Sequence, residues 1–203
     1  DELRTAFETF LNRGGNLLIS GQDFGWDTCS GVSGSNGNAQ TKAFVNNLLG
    51  ANFVADGSSS TNSIQMIPDH AIFAAAGNTT INMSVYTAAN TYPDEYTPLG
   101  SGQAIFTYNN STKKGGISNQ TAVYKSVLMG TGLEQFTNSQ VSDQFFTLTY
   151  QWFHGLISST DYQNQLDALY LGNAQPNPAS KYTIIKINAS PGTQYALNIL
   201  NTL

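Results

Sequence analysis

The residues best placed to do chemistry are Gly21, Gln22 and Asp23, in the polar turn after the apolar run Leu17-Leu-Ile19. A strand ending in such a turn delivers side chains to the carboxyl edge of a sheet, where α/β folds place ligands and catalytic groups. A nucleophile there would be a serine or cysteine with a base beside it. The turn holds neither. Cys29, the only cysteine, lies further on in a Gly/Ser loop and cannot reach the turn without a large change of register. Glu134 is a lone carboxylate and reads as a hydrogen-bond acceptor rather than an acid catalyst. His70, after Pro68-Asp69, reads as an ordinary surface histidine. His154 reads as a cap on the last turn of a helix.

Two further groupings have chemical potential. Asp23 and Asp27, with Gln22, offer the hard oxygens that calcium takes in sets of six to eight. No Asp-x-Asp-x-Asp spacing supports such a loop, so these carboxylates read as acceptors of backbone N–H groups in a tight turn, and no cofactor is expected. Phe24, Trp26 and Tyr92 could form a sugar-stacking surface, although packing of Phe24 and Trp26 against the sheet is the simpler reading.

The elements that must position these residues follow from periodicity. Leu3, Ala6, Phe7, Phe10 and Leu11 fall on one helical face, and Gly14-Gly15 stops that helix. Leu17-Leu-Ile19, apolar without alternation, predicts a strand covered on both faces, as in a parallel sheet. Lys42 to Leu49 predicts a second helix with Phe44, Val45, Leu48 and Leu49 inward. Val54 and Ile64 to Ile67 predict short strands, and Ser58 to Ser60 a loop. Tyr92-Pro-Asp-Glu-Tyr-Thr-Pro98 reads as a turn-rich connector, because proline disfavours helix at the residue before it. Ala104 to Asn109 and Ala122 to Met129 predict a strand pair, with 110–121 as the loop between them. Ser142 is the expected cap of a long helix burying Phe145, Leu148, Thr149, Trp152, Phe153 and Leu156.

Composition bounds the function classes. Only 10% of residues are charged, while Asn, Ser and Thr supply 61 of the 203. A net charge of −5 with 8 Lys and Arg argues against a nucleic-acid surface, which needs clustered cations. No apolar run is long enough for a membrane span. The charge-poor, Asn/Thr-rich make-up suits an exported bacterial protein. A single cysteine excludes an internal disulfide.

Residues 1–157 therefore read as an α/β domain, 158–165 as a linker, and 166–203 as part of a small β-sandwich. The segments Phe10-Leu-Asn-Arg-Gly-Gly-Asn-Leu-Leu-Ile-Ser-Gly-Gln-Asp23, Phe44-Val-Asn-Asn-Leu-Leu-Gly-Ala51, Tyr92-Pro-Asp94 and Leu128-Met-Gly-Thr-Gly-Leu-Glu134 resemble the class I glutamine amidotransferase-like (flavodoxin-like) domain of secreted bacterial proteins. That resemblance implies a three-layer sandwich with a mostly parallel sheet whose first strand and helix lie upstream of Asp1. It also implies a catalytic cysteine near Gly21 and a histidine at Gly132. Both are lost, leaving Gly21, Gln22 and Asp23 as a degenerate elbow and Glu134 as an acidic remnant. Gln175-Pro-Asn-Pro-Ala179, Thr183-Ile-Ile-Lys-Ile187 and Leu197-Asn-Ile-Leu-Asn201 resemble the start of the sorting domain of type IX secretion, implying that machinery as a partner of residues 166–203 and a secreted or cell-surface home.

The function expected from these readings is a non-catalytic accessory or structural domain. The alternatives are a fragment of a secreted peptidase-type hydrolase whose catalytic domain lies upstream, and a carbohydrate-binding surface at Phe24, Trp26 and Tyr92. Both ends stop within expected elements, so extra contacts from another chain or domain are expected at the Asp1 end and along Tyr182 to Leu200.

Overall fold

A computed structural model of the chain describes residues 2–57, 63–67, 70, 72, 82–84, 92–108, 111–136, 138–156, 170–171 and 187–188. The chain divides into two units, Asp1–Ser158 and Ser159–Leu203.

In the first unit, α1 (Glu2–Asn12) is closed as expected by Gly14, whose φ of +88° lies in the left-handed region that glycine enters without strain. The Gly14 N–H donates to the Leu11 carbonyl (2.8 Å) and the Gly15 N–H to that of Phe10 (2.9 Å), completing the helix end. The predicted inward face is only partly realised: Leu11 is fully buried, while Leu3 and Phe10 are 68% and 48% exposed. β1 (Leu17–Ser20) follows, then a short helix α2 (Phe24–Cys29). α3 (Ala39–Leu48) begins three residues before the predicted Lys42, because Asn38 caps it. Its side chain accepts from the Gln40 and Thr41 N–H groups, and Thr41 Oγ1 accepts from the Asn38 N–H in return.

The sheet is built from β2 (Ala51–Asp56), β3 (Ser63–Met66), β4 (Asn82–Ser84), β5 (Asp94–Pro98), β6 (Gly102–Tyr108), β7 (Lys114–Gln120) and β8 (Lys125–Met129), together with β1. The order is β1-β8-β7-β6-β3-β4, with β5 pairing to both β2 and β7. Among the described strands only β1 and β8 run parallel, with Leu17 opposite Ser126 and Ser20 opposite Met129. Every other pair is antiparallel. The expected mostly parallel three-layer α/β sandwich is thus corrected to a mixed, largely antiparallel sheet. The physical reason lies in the connections: β6, β7 and β8 follow one another through links of a few residues, which permit only antiparallel return, whereas parallel neighbours need a long crossover.

Two local expectations change for related reasons. The supposed connector 92–98 contains β5, and the supposed loop 110–121 contains β7, the strand between β6 and β8. Gly115 and Gly116, which read as turn residues, are packing residues. A Cβ on Gly115 would lie 2.1 Å from Tyr108 Cζ, and one on Gly116 2.3 Å from Phe106 Cε1. β1, predicted to be covered on both faces, is half-buried throughout because it lies at the end of the strand order.

One sheet face carries the principal core: Leu11, Phe44, Val45, Leu49, Ala51, Tyr96, Ile117 and Leu128 are buried together, with Phe7 and Phe24 packed against them. Strand alternation places Ser118 and Val127 on the opposite face. α4 (Ser139–Phe153) packs on β8 and buries Phe145, Leu148, Thr149 and Trp152. It starts at Asn138, which accepts from the Gln140 N–H (2.9 Å), rather than at Ser142; Leu156 stays 55% exposed beyond its end. Among the described residues no helix is long and apolar enough to cross a membrane.

In the second unit the described residues form one antiparallel pair, β9 (Tyr170–Leu171) with β10 (Ile187–Asn188). The 158–165 linker, the 175–179 motif, residues 183–186 and 197–201, and the Ser58–Ser60 loop lie outside the described residues. So does nearly all of 182–200, where partner contacts are expected.

Candidate functional site: the β1–α2 elbow

The chain leaves β1 at Ser20, crosses Gly21, Gln22 and Asp23, and enters α2 at Phe24. Each side of this turn is tied to the segment after β8. Ser20 Oγ donates to the Thr131 carbonyl (3.2 Å) and accepts from the Leu133 N–H (2.7 Å). Gln22 Oε1 accepts from Gln135 Nε2 (2.5 Å), and Gln135 Oε1 accepts from the Gly132 N–H (3.0 Å) and from Thr131 Oγ1. Gly21 keeps open space where a side chain would stand. At Gly132 the exposed Glu134 carboxylate folds back over the place of a side chain, 1.9 Å from the Cβ position, and would have to swing aside to admit one.

The group that organises the elbow is one the sequence reading passed over. Asp94, at the start of β5, is fully buried and aims its carboxylate at the head of α2. Oδ2 accepts from the Gly25 N–H (2.5 Å) and Tyr96 Oη (3.1 Å), and Oδ1 from the Trp26 N–H (3.1 Å). Its backbone is held as firmly: the N–H donates to the Gly130 carbonyl (2.8 Å) and the carbonyl accepts from Tyr108 Oη (2.9 Å). Burial pushes the Asp94 carboxyl up to about 7, against three hydrogen bonds that favour its charged form; Asp56 adds a smaller upward push. Asp56 is itself raised by burial and by the charge of Asp23. The signal for Asp94 lay in the alternation Asp94, Tyr96 against Glu95, Thr97, which marks a strand with one buried face. Two flanking prolines hid it.

The other predicted residues are placed as follows. Asp27 accepts from the Asn36 N–H and side-chain amide (both 3.0 Å). Among the described residues no three His, Cys, Asp or Glu side chains lie together so as to hold a metal ion. Phe24 packs against the core, Trp26 is half-buried beside Gly34, and Tyr92 is 44% exposed. Cys29 belongs to the buried core, and burial raises its thiol, which favours the unreactive protonated form. His154 caps α4 through its backbone and lies against the Tyr150 ring at 4.4 Å.

His70 is far from the surface residue expected: it is 5% exposed, with Nε2 2.6 Å from Ser118 Oγ. The pair has the separation of a serine–histidine dyad, yet Nδ1 accepts from the Ile72 N–H (3.1 Å). The neutral ring therefore carries its proton on Nε2 and donates to Ser118, the reverse of what a general base must do. Burial lowers the imidazole to about 4, which keeps it neutral.

No protein-family model matches this sequence, and no curated protein does. Among solved structures the chain is similar to the β-galactosidase from Rahnella sp. R3, at 13% identity and a TM-score of 0.51, over 76% of this chain and 21% of that one. It also matches the cytoplasmic protein STM3548 from Salmonella typhimurium (12% identity, TM-score 0.48, 76% of this chain and 60% of that one). A third match is the β-galactosidase from Halorubrum lacusprofundi (13% identity, TM-score 0.46, 76% and 20%). The chain thus spans about a fifth of the length of the Rahnella enzyme, and the likeness is one of fold.

These findings overturn the amidotransferase resemblance and leave the sorting-domain one without support. With one parallel strand pair, the sheet is not that of a flavodoxin-like class I glutamine amidotransferase. The fold likeness is to a segment of a β-galactosidase, and nothing matched supports a type IX sorting domain in 166–203.

Proposed function

We propose that this chain is a non-catalytic companion domain of a larger protein, one that spaces or docks a neighbouring domain. The observation that carries this reading is the Asp94 carboxylate on the Gly25 and Trp26 N–H groups. Backbone donors at a strand–turn–helix junction stabilise a developing oxyanion only when they are free to meet it. Here an internal carboxyl group fills them. The reversed proton on the His70–Ser118 pair supports the same conclusion, since neither group activates the other. A likeness to about a fifth of a longer enzyme is consistent with a domain that works beside others. The charge-poor composition favours an exported or surface-displayed parent.

The test is a turnover screen on the full chain with activated esters, a casein-type peptide substrate, glutamine and nitrophenyl glycosides. The expected result is no hydrolysis above the buffer rate. Hydrolysis abolished by Ser118→Ala or Cys29→Ala would overturn the proposal.

A further inference from the structure

On the sheet face opposite the principal core, the register of β6 and β7 sets Gln103 beside Ser118, with Ser101 and Gln120 flanking them. His70 and Trp152 complete the walls of a cavity of about 340 Å³ over this patch. The size stands at the lower end for small-molecule pockets, enough for one sugar-sized ring. Its chemistry is unusual for a space between a sheet and a helix. The walls are two hydroxyls, two carboxamides, an imidazole and an indole, with no charged side chain among the described lining residues.

The polar groups are not all engaged by the fold. Ser101 Oγ donates to Asn119 Oδ1 (2.6 Å), and Ser118 Oγ meets His70 (2.6 Å). The Gln103 and Gln120 carboxamides make no side-chain hydrogen bond among the described residues, and both are exposed to the opening. Each offers a donor pair and an acceptor. A carboxamide can serve hydroxyl groups in either role, whereas an anion would call for a cation. Trp152 is 4% exposed, packed by the His70 ring (centroids 6.2 Å apart) and the Phe153 ring (5.6 Å), with the Lys125 ammonium 5.0 Å from its ring centroid. That ammonium donates to the Trp152 carbonyl (2.5 Å), so it is tied to the helix end.

We propose that this cavity binds one neutral pyranoside ring, its hydroxyls taken by Gln103 and Gln120 at the opening, with the buried Trp152 closing one wall. The site is separate from the elbow and from Phe24, Trp26 and Tyr92, and it does not depend on the companion-domain reading.

The test is a titration of the full ¹⁵N-labelled chain with methyl galactoside, glucoside and mannoside, with glucuronate as the charged control. The chain has 2 tryptophans, so its spectrum holds two indole N–H signals, and Trp26→Phe assigns them. The expected result is a saturable shift of the Trp152 signal with at least one neutral glycoside while the Trp26 signal stays still. The Gln103→Ala/Gln120→Ala variant, altered only at exposed positions, is expected to bind about tenfold or more weakly. The proposal is overturned by no shift at tens of millimolar, by a shift that the double variant leaves intact, or by a response confined to glucuronate.

Discussion

At the scale of single residues, Asp94 and His70 are two buried ionisable groups whose effects on stability oppose each other. The Asp94 carboxyl, near 3.8 when unfolded, is raised to about 7 in the fold. Between those values the native state holds a proton that the unfolded state has released, so this term weakens the fold as pH rises through about 4 to 7. His70 is lowered from 6.5 to about 4, so its term strengthens the fold as pH rises across about 4 to 6.5. The two slopes offset one another, and the expected stability profile of the intact chain is shallow between pH 4 and 6.5. Urea denaturation across that range checks this: Asp94→Asn should leave a profile that climbs with pH, and His70→Gln one that falls. Asp94→Ala removes the acceptor for two backbone donors, of which Gly25 is buried. A loss of about 2–4 kcal/mol is expected from the unfolding midpoint at neutral pH.

The chemistry of these two groups was only half legible. Sequence position shows that the Gly21–Asp23 turn lacks a nucleophile, because that depends on residue type alone. The occupant of the α2 backbone donors comes from Asp94, 69 residues beyond Gly25 in the chain, and local spacing holds no trace of such a pairing. His70 was hidden in the same way, since its partners Ser118 and Trp152 are joined to it by the sheet and not by the sequence.

At the scale of elements, α1, α3 and α4 and the strands β1, β2, β3, β6 and β8 were legible, while α2, β5 and β7 were not. α1, α3 and α4 each announce an apolar stripe at the helical period, and their capping groups lie within one turn of where the pattern stops. β5 and β7 look like loops because proline and glycine have two uses. In β7 the glycines let the Phe106 and Tyr108 rings lie against the backbone, a requirement set by β6 and invisible within the segment. That account predicts that Gly116→Ala, with a Cβ 2.3 Å from Phe106 Cε1 and 2.7 Å from Ile105 Cγ1, destabilises the chain by about 1–3 kcal/mol. Equilibrium unfolding measures it; an unchanged midpoint would show that the rings can withdraw. Strand direction was lost for a different reason. Leu17-Leu-Ile19 does pair parallel, with β8, but its apolar run carries no information on the other strands, whose direction the connection lengths decide.

At the scale of the whole molecule, a sheet with helices α1 to α3 on one face and α4 on the other forms a unit within Asp1–Ser158. Among the described residues its core is built from strands and helices of that unit. A chain ended after Ser158 is therefore expected to unfold cooperatively with the main thermal transition of the full chain. Calorimetry of the two side by side checks this, and a broadened or lost transition would show that the unit needs the remainder.

The companion-domain account rests on one arrangement, the Asp94 carboxylate seated on the α2 amides. Hydrogen exchange of the Gly25 and Trp26 N–H groups at neutral pH tests it most directly. The account predicts strong protection in the intact chain, lost at both positions in Asp94→Ala while the α3 amides stay protected. Rapid exchange at Gly25 and Trp26 in the intact chain would leave those donors open to an incoming anion and contradict it.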